Sequence, residues 1–564
     1  MVSRAIVLLI GLSVVALADW QVWTVSETRR VLRDEAPGQG LEVKLAAARN
    51  EAASFQILVR STTALKGINI QPGRLDPVKP TALVLAAEDA RLYRQHQIEI
   101  TEPTYRNDAF KPGWYPDPLI PFRHPVTGEP LKGGRYTAVP FDLPANETHG
   151  FWVDIAVPIG APPGDYRGTY RVTAEGQKPV EIPVTLTVWA FSLPRVSTLV
   201  TAFGSPAGRM RDHYRRRAKA GKEKEPEDWA AVEAECAAML SEHRFNATPP
   251  AGSLTPVAKP DGTFEIPAEQ IAAFRDFVDR YHVNAFCTPH PSSAGVKDPE
   301  AEKAKLHAWL RAWDKAAAAL NRPAVLFYTY LKDEPNKEEE YRYVQAWGKA
   351  VREAKSVVKV LVVEQTKTQD EKWGDLYGAV DIWCPLFSLH DPETAAQRQA
   401  LGEMVWTYTA LCQGRPMSPW WQIDFPLLHY RVPAWMAWRH RIRGLLYWGG
   451  MSFWNQVDDP WTDPKTLDRR KDGKGAMWNG EGTIVYPARA VGYDGIVPSL
   501  RLKALRDSIQ DYEYFAILER AGLADKAQEI VLSVAPSFFE WDKDPSAYAK
   551  ARARLAELIL TAQK

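Results

Sequence analysis

Cysteine is scarce in this chain, with four residues at positions 236, 287, 384 and 412 of 564. Their spacing matches neither a zinc site nor a redox pair, so thiolate-metal and dithiol chemistry find no motif here. Buried free thiols are the expectation; a disulfide is permitted by export but not demanded by a chain of this length. No HExxH, paired-Cys or EF-hand spacing occurs, and no GxGxxG or P-loop, so neither a metal nor a nucleotide is implied and no cofactor is expected. Charge of one sign is also lacking. Lys plus Arg number 70 against 69 Asp plus Glu. A polyanion-binding surface leaves a basic excess, so a nucleic-acid partner is not expected. Beyond the first residues, no stretch is long and apolar enough to cross a bilayer.

The first residues read as a targeting signal. One positive charge in Met1–Arg4 precedes an apolar run from Ala5 to Leu17, and Ala16-Leu17-Ala18 fits the small-x-small cleavage pattern. The run falls short of the ~20 residues a spanning helix needs. Residues 1–18 are therefore expected to be a signal peptide, giving an exported protein, periplasmic or extracellular, with no membrane insertion after cleavage. What is abundant is the aromatic side chain: 21 Trp, 21 Tyr and 19 Phe. A Trp face suits both a large core and the stacking of a sugar ring, so the count alone favours neither.

Length predicts two or three domains at ~100–200 residues each. Residues 19–194 read as a β-sandwich: strand-like runs such as Ser54–Arg60, Phe151–Val157 and Glu181–Trp189 alternate with Gly/Pro turn clusters. One long insert, Thr101–Arg135, is rich in Pro, Gly and aromatics, and a loop of that length is functional or packs on a neighbouring domain. From Thr198 strand-like runs alternate with helical stretches. Eight runs can be counted: Leu199–Phe203, Phe245–Thr248, Val283–Thr288, Val325–Lys332, Val358–Glu364, Val380–Leu386, Met404–Leu411 and Gly444–Trp448. That is the pattern of a (β/α)8 TIM-like barrel over residues 195–497. Residues 498–564 read as a helical segment packed on the barrel, with Arg506, Asp507 and Asp511 as an ion network. The fold class expected is thus multidomain β plus α/β.

In such barrels the chemistry sits at the C-terminal ends of the strands. Run four ends Tyr330-Leu331-Lys332-Asp333-Glu334-Pro335. Two carboxylates held close raise the pKa of one of them, and an acid beside a carboxylate is what glycoside cleavage needs. The alternative is that Asp333 caps the following helix and Glu334 lies in its first turn. The other strand ends supply candidate sugar contacts: His290, Gln365, Trp383, Trp406, Tyr408, Trp420, Asp424, Trp448 and Asn455, together with Tyr330. Each Trp has core packing as its competing explanation, and His290 could equally be a satisfied buried histidine.

The chain resembles glycoside hydrolase family 123 and its bacterial relatives. The blocks that carry the resemblance include Ala48-Arg49-Asn50-Glu51, Gly113-Trp114-Tyr115-Pro116-Asp117, Leu331-Lys332-Asp333-Glu334-Pro335, Gly480-Glu481-Gly482 and the run from Ser499 to Tyr514. One departure is Tyr486-Pro487-Ala488, where the family often has Tyr-Pro-Gly. The resemblance implies a β-N-acetylgalactosaminidase-like enzyme in which the substrate's 2-acetamido group is the nucleophile. It implies Glu334 as general acid/base and Asp333 as the group that orients the acetamido and stabilises an oxazolinium intermediate. An oligosaccharide or glycan is the expected partner. The rivals are a glycosidase on a sugar without the acetamido group, using Glu364 or Asp424 as second carboxylate, and a non-catalytic carbohydrate-binding relative.

Overall fold

The computed structural model describes residues 20–79, 83–411, 418–473 and 475–563. The expected signal peptide and Cys412 lie outside them.

The N-terminal part is built from two sheets. The first has the order β1-β3-β9-β6-β7, all antiparallel, from β1 (Trp20–Ser26), β3 (Glu51–Ser61), β6 (Ala90–Ile100), β7 (Gly113–Pro121) and β9 (His149–Val157). The second has the order β2-β11-β10-β4-β8, from β2 (Val43–Arg49), β4 (Leu65–Gln71), β8 (Phe141–Leu143), β10 (Gly164–Thr173) and β11 (Val180–Ser192), with β5 (Asp76–Pro77) on β10. Alternation explains the packing. Ile182, Val184, Leu186 and Val188 of β11 point one way and meet Phe55, Ile57 and Val59 of β3 in one apolar core. The other face of β3 is covered as well: Leu58 packs with Trp23 and Val31, and the Gln56 amide donates to Ser26 O and Arg29 O, both at 2.7 Å. The insert expected as one long loop contains the edge strand β7, because Trp114–Pro121 pairs with β6.

The second part holds a seven-stranded parallel sheet: β12 (Val200–Ala202), β13 (Ala285–Thr288), β14 (Leu326–Asp333), β15 (Lys359–Val363), β16 (Ile382–Trp383), β17 (Met404–Thr409) and β18 (Gly444–Tyr447), in the order β12-β18-β17-β16-β15-β14-β13. The sheet curls until it is nearly closed. The eighth expected strand, Phe245–Thr248, does not pair, since Pro249 and Pro250 follow it and bring no N–H to a ladder. Asn246 bridges the gap instead: its backbone N–H donates to Thr201 Oγ1 (2.7 Å), its side-chain amide to Ala285 O (2.8 Å), and its Oδ1 accepts from Asn284 N (3.0 Å). Both faces of the strands are buried, which is why they read as unbroken apolar runs. Tyr328, Leu361, Trp406 and Leu446 fill the interior, while Phe327, Val362, Trp383 and Leu445 face the surrounding helices.

Helices α1 (Pro206–Lys219), α2 (Trp229–Glu242), α3 (Ala268–Tyr281), α4 (Lys303–Leu320), α5 (Glu338–Glu353), α6 (Pro392–Ala400) and α7 (Leu428–Arg439) follow in chain order. The C-terminal segment adds α8 (Leu500–Arg520), α9 (Ala524–Leu532) and α10 (Pro545–Ala562). Helix α8 is buried on all sides from Leu500 to Ala516, not on one face as an amphipathic cap would be. Its charges are neutralised from both parts of the molecule. Arg501 meets Asp117 (2.9 Å), and Lys503 and Arg506 meet Asp154 (2.7 and 3.0 Å); Asp511 meets Arg431 of α7 (2.8 Å). Burial opposes the Asp154 charge, yet the Arg506 and Lys503 cations hold its carboxyl well below the usual range. The expected ion network therefore reaches the first sheet as well as the barrel. Asp117 is the carboxylate that faces the fully buried Arg501. Asp117→Asn leaves that guanidinium with neutral acceptors, and a broken buried pair costs ~3–5 kcal/mol. Chemical denaturation should show that loss and partial recovery in the double variant Asp117→Asn/Arg501→Met; equal stability of the single variant and the wild type would contradict it.

No helix among the described residues is long and apolar enough to cross a membrane. Cys236 and Cys384 are buried free thiols, whereas Cys287 is exposed, contrary to the expectation for a strand cysteine. The strand alternation accounts for it: Phe286 faces the helices and Cys287 faces the barrel mouth.

Candidate active site

Asp333 is the last residue of β14, in register with Val363 of β15. Glu334 follows with φ at +39°, a left-handed conformation that a side chain beyond Cβ adopts at a cost of ~1–3 kcal/mol. Pro335 disfavours the ordinary helical alternative at the preceding residue. The Glu334 carbonyl is held by the Asn336 side-chain amide at 2.9 Å. Helix α5 begins only at Glu338, with Lys337 at the cap position. Asp333 does not cap it, and Glu334 is not in its first turn. The reversed backbone replaces the up-down alternation of a strand, so both neighbouring carboxylates open onto one cavity of about 670 Å³.

Each carboxylate has its own phenol. Tyr330 Oη donates to Asp333 Oδ1 at 2.8 Å, and Tyr408 Oη donates to Glu334 Oε1. Burial first, and then the adjacent carboxylates, push both phenols far above their ordinary range, so they remain protonated donors. The cavity wall also carries Trp448, Arg209, Asn246 and Cys287. The Trp448 indole N–H donates to Glu481, a fully buried carboxyl that burial pushes up and that Gln422 and Tyr447 also hold. That bond fixes the ring plane at the cavity edge.

A second cavity of about 240 Å³ adjoins the first. Glu334, Tyr408 and Arg469 line both, and Asp333 lines only the larger one. The smaller cavity is walled by Glu364, Gln365, Gln369 and Asn336. Glu364 accepts from Gln365 N (2.9 Å) and Gln369 Nε2 (2.7 Å). Burial pushes its carboxyl up to about 7; the two amide donors oppose the shift and the Glu334 charge adds to it. A carboxyl raised by folding stabilises the fold below its ordinary pKa of 4.5 and loses that contribution as pH rises through about 7. The stability of Glu364→Gln relative to wild type should therefore improve by about 3 kcal/mol between pH 4 and pH 8. Denaturation at the two pH values checks this, and a pH-independent difference would contradict it.

Of the residues expected at the site, Tyr330, Tyr408, Trp448 and Gln365 join Asp333 and Glu334 around the two cavities. The others do not. Trp383 faces the helices and donates to Glu403 Oε2 at 2.7 Å. Trp406 is packed inside the barrel against Tyr328, with 5.0 Å between ring centres. Trp420 stacks on Phe425 at 5.6 Å in a separate buried cluster. His290 spends both nitrogens locally, on Ser292 Oγ (2.7 Å) and Tyr343 Oη (3.0 Å), and burial lowers its pKa. Asp424 is consumed by Thr104 (2.8 and 2.6 Å) and Asn107 (3.0 Å), which tie the N-terminal insert to the barrel. Asn455 is clamped by Arg216 at 2.7 and 2.9 Å. Inspection of strand ends missed Arg209, Asn246 and Arg469. Arg209 comes from a helix and Arg469 from a 3-10 turn that follows the two-residue strand Leu467–Asp468, outside the parallel sheet; only Asn246, in a strand-like run, carried a signal.

Comparison with known proteins bears on this geometry. Residues 308–518 match the family model of the glycoside hydrolase 123 catalytic domain. The chain superposes on a family 123 glycoside hydrolase from Clostridium perfringens, described for glycolipid glycan hydrolysis, with a TM-score of 0.63 at 13% identity over 96% of this chain and 97% of that one. At that identity the likeness shows the fold. A glycosyl hydrolase family 2 member from Bacteroides cellulosilyticus (9% identity, 71% of this chain and 44% of that one) has a TM-score of 0.23, too low to carry an argument. No curated protein matches the chain. The matched segment holds β14, Asp333, Glu334 and the wall of both cavities from Glu364 to Trp448, and through that segment the chain is similar to the catalytic domain of glycoside hydrolase family 123.

Proposed function

We propose that the protein is an exported retaining glycosidase that cleaves β-linked 2-acetamido sugars, N-acetylgalactosaminides foremost, with the substrate's own acetamido oxygen as nucleophile. The observation that carries this is the placement of Asp333 and Glu334, neighbours in sequence, on one cavity, each with a phenol donor. In the first step the acetamido oxygen attacks the anomeric carbon and the glycosidic bond breaks. Glu334 passes its proton to the leaving oxygen. Asp333 accepts from the acetamido N–H and stabilises the positive oxazolinium ring. Glu334, now a carboxylate, takes a proton from water as that water adds to the anomeric carbon and the bond from that carbon to the acetamido oxygen breaks, which returns the acetamido group and restores the original configuration.

An aryl β-N-acetylgalactosaminide should be hydrolysed while the matching aryl galactoside is not. A thiazoline analogue of the cyclic intermediate should inhibit competitively, because the site stabilises that species. A sugar trapped covalently on a carboxylate would overturn the reading. One feature favours a second reading, a glycosidase on a sugar without the acetamido group. Glu364 shares the smaller cavity with Glu334 and could act as the other carboxyl. Labelling of Glu364 by a 2-fluoro glycoside would select it.

A further inference from the structure

Two guanidinium groups line the larger cavity without a carboxylate partner among the described residues. Arg209 enters from α1 and lies over the rings of Phe453 and Trp448, its guanidinium carbon 4.9 and 5.4 Å from their centres. Burial lowers its pKa, and the Asp212 carboxylate opposes that shift. Arg469 lines both cavities at the seam marked by Glu334. In the same turn Arg470 is fully engaged, with Asp468 at 2.8 Å and Glu102 at 2.5 Å, so the local acids are spent on the neighbour. A guanidinium held in a partly dry cavity and left without an anion pays for desolvation without the bidentate bonds it is shaped to make. Neither guanidinium forms an ion pair with Asp333 or Glu334, whose hydrogen-bond donors are tyrosines.

Building on the glycosidase reading above, we infer that Arg209 and Arg469 bind an anionic substituent, a sulfate ester or a carboxylate, on the glycan. Asp333 places the acetamido sugar in the larger cavity, so Arg209 faces that sugar. Arg469 stands where the leaving sugar begins. The two sources of negative charge are thereby separated: an ester on the acetamido sugar reads on Arg209, and a uronic carboxylate on the leaving sugar reads on Arg469.

The test compares four substrates: 4-nitrophenyl β-N-acetylgalactosaminide, its 6-sulfate, and two disaccharides in which N-acetylgalactosamine is β-linked to glucuronate or to its neutral counterpart glucose. The expected result is a kcat/KM at least ten-fold higher for one anionic member than for its neutral counterpart, with the advantage shrinking as salt is added. Arg209→Ala should cut the sulfate advantage at least ten-fold, or Arg469→Ala the carboxylate advantage, with the lysine variants recovering part. Neutral substrates cleaved as well as both anionic ones would overturn the inference and leave the glycosidase reading intact. If no 2-acetamido substrate is cleaved, the glycosidase reading fails, and calorimetric titration with N-acetylgalactosamine and its 6-sulfate decides separately. Tighter binding of the sulfate supports anion recognition, and equal binding refutes it.

Discussion

Glu334→Gln should lose ~10²–10⁴-fold in kcat on a natural glycoside, the range a positioned proton donor supplies. The amide keeps the shape and can still meet the Tyr408 hydroxyl, but it has no proton to give the leaving oxygen. The loss should shrink when the leaving group is an activated phenol, which departs without help. Rates on a series of aryl glycosides of graded leaving-group pKa measure this directly. A loss independent of the leaving group would mean that Glu334 does not act as the acid. Since φ at this position is already left-handed, Gln brings no new backbone cost, and the variant should fold.

Asp333→Asn should be comparably damaging for a different reason. The carboxylate bonded to Tyr330 is the acceptor and the negative charge that the oxazolinium needs. Removing one preorganised electrostatic contact to a developing charge costs ~10²–10³ in kcat. Because that contact is made to the intermediate, affinity for the thiazoline analogue should fall in parallel with kcat, while the binding of product sugar falls less. Inhibition constants for the two ligands give the comparison. Parallel losses for both would demote Asp333 to general binding. Retention of activity would remove it from the mechanism altogether.

The strand pattern was legible because barrel strands buried on both faces leave long apolar runs, and seven of eight such runs pair as strands. Phe245–Thr248 looked like the eighth because side-chain hydrophobicity says nothing about where ladder donors end; Pro249 and Pro250 were the readable warning. The pair at the end of β14 was legible for a similar reason: two acids and a proline at a strand terminus are a local signal. The tryptophans were not. Whether Trp383 and Trp406 face helices or barrel interior is set by strand register, and both orientations bury the ring equally. Asp424 and His290 illustrate the converse. Asp424 is spent on Thr104, 320 residues away in sequence, and the second nitrogen of His290 on Tyr343, 53 residues away, so a local reading could see at most the His290 bond to Ser292. Arg209 and Arg469 reach the cavity by the same long-range route.

The all-round burial of α8 has a consequence for how the chain is made. Its residues leave the ribosome after the first sheets and the barrel strands, yet Lys503 and Arg506 supply the cations for Asp154, made some 350 positions earlier. Until they emerge, Asp154 has no cation from α8, and the surface of α7 that packs on α8 has no cover. Neither the first sheets nor the barrel can complete its native packing during synthesis. A premature stop shortly after Pro498 would spare every residue around Glu334 and still yield a product fit for proteolysis rather than a shortened enzyme.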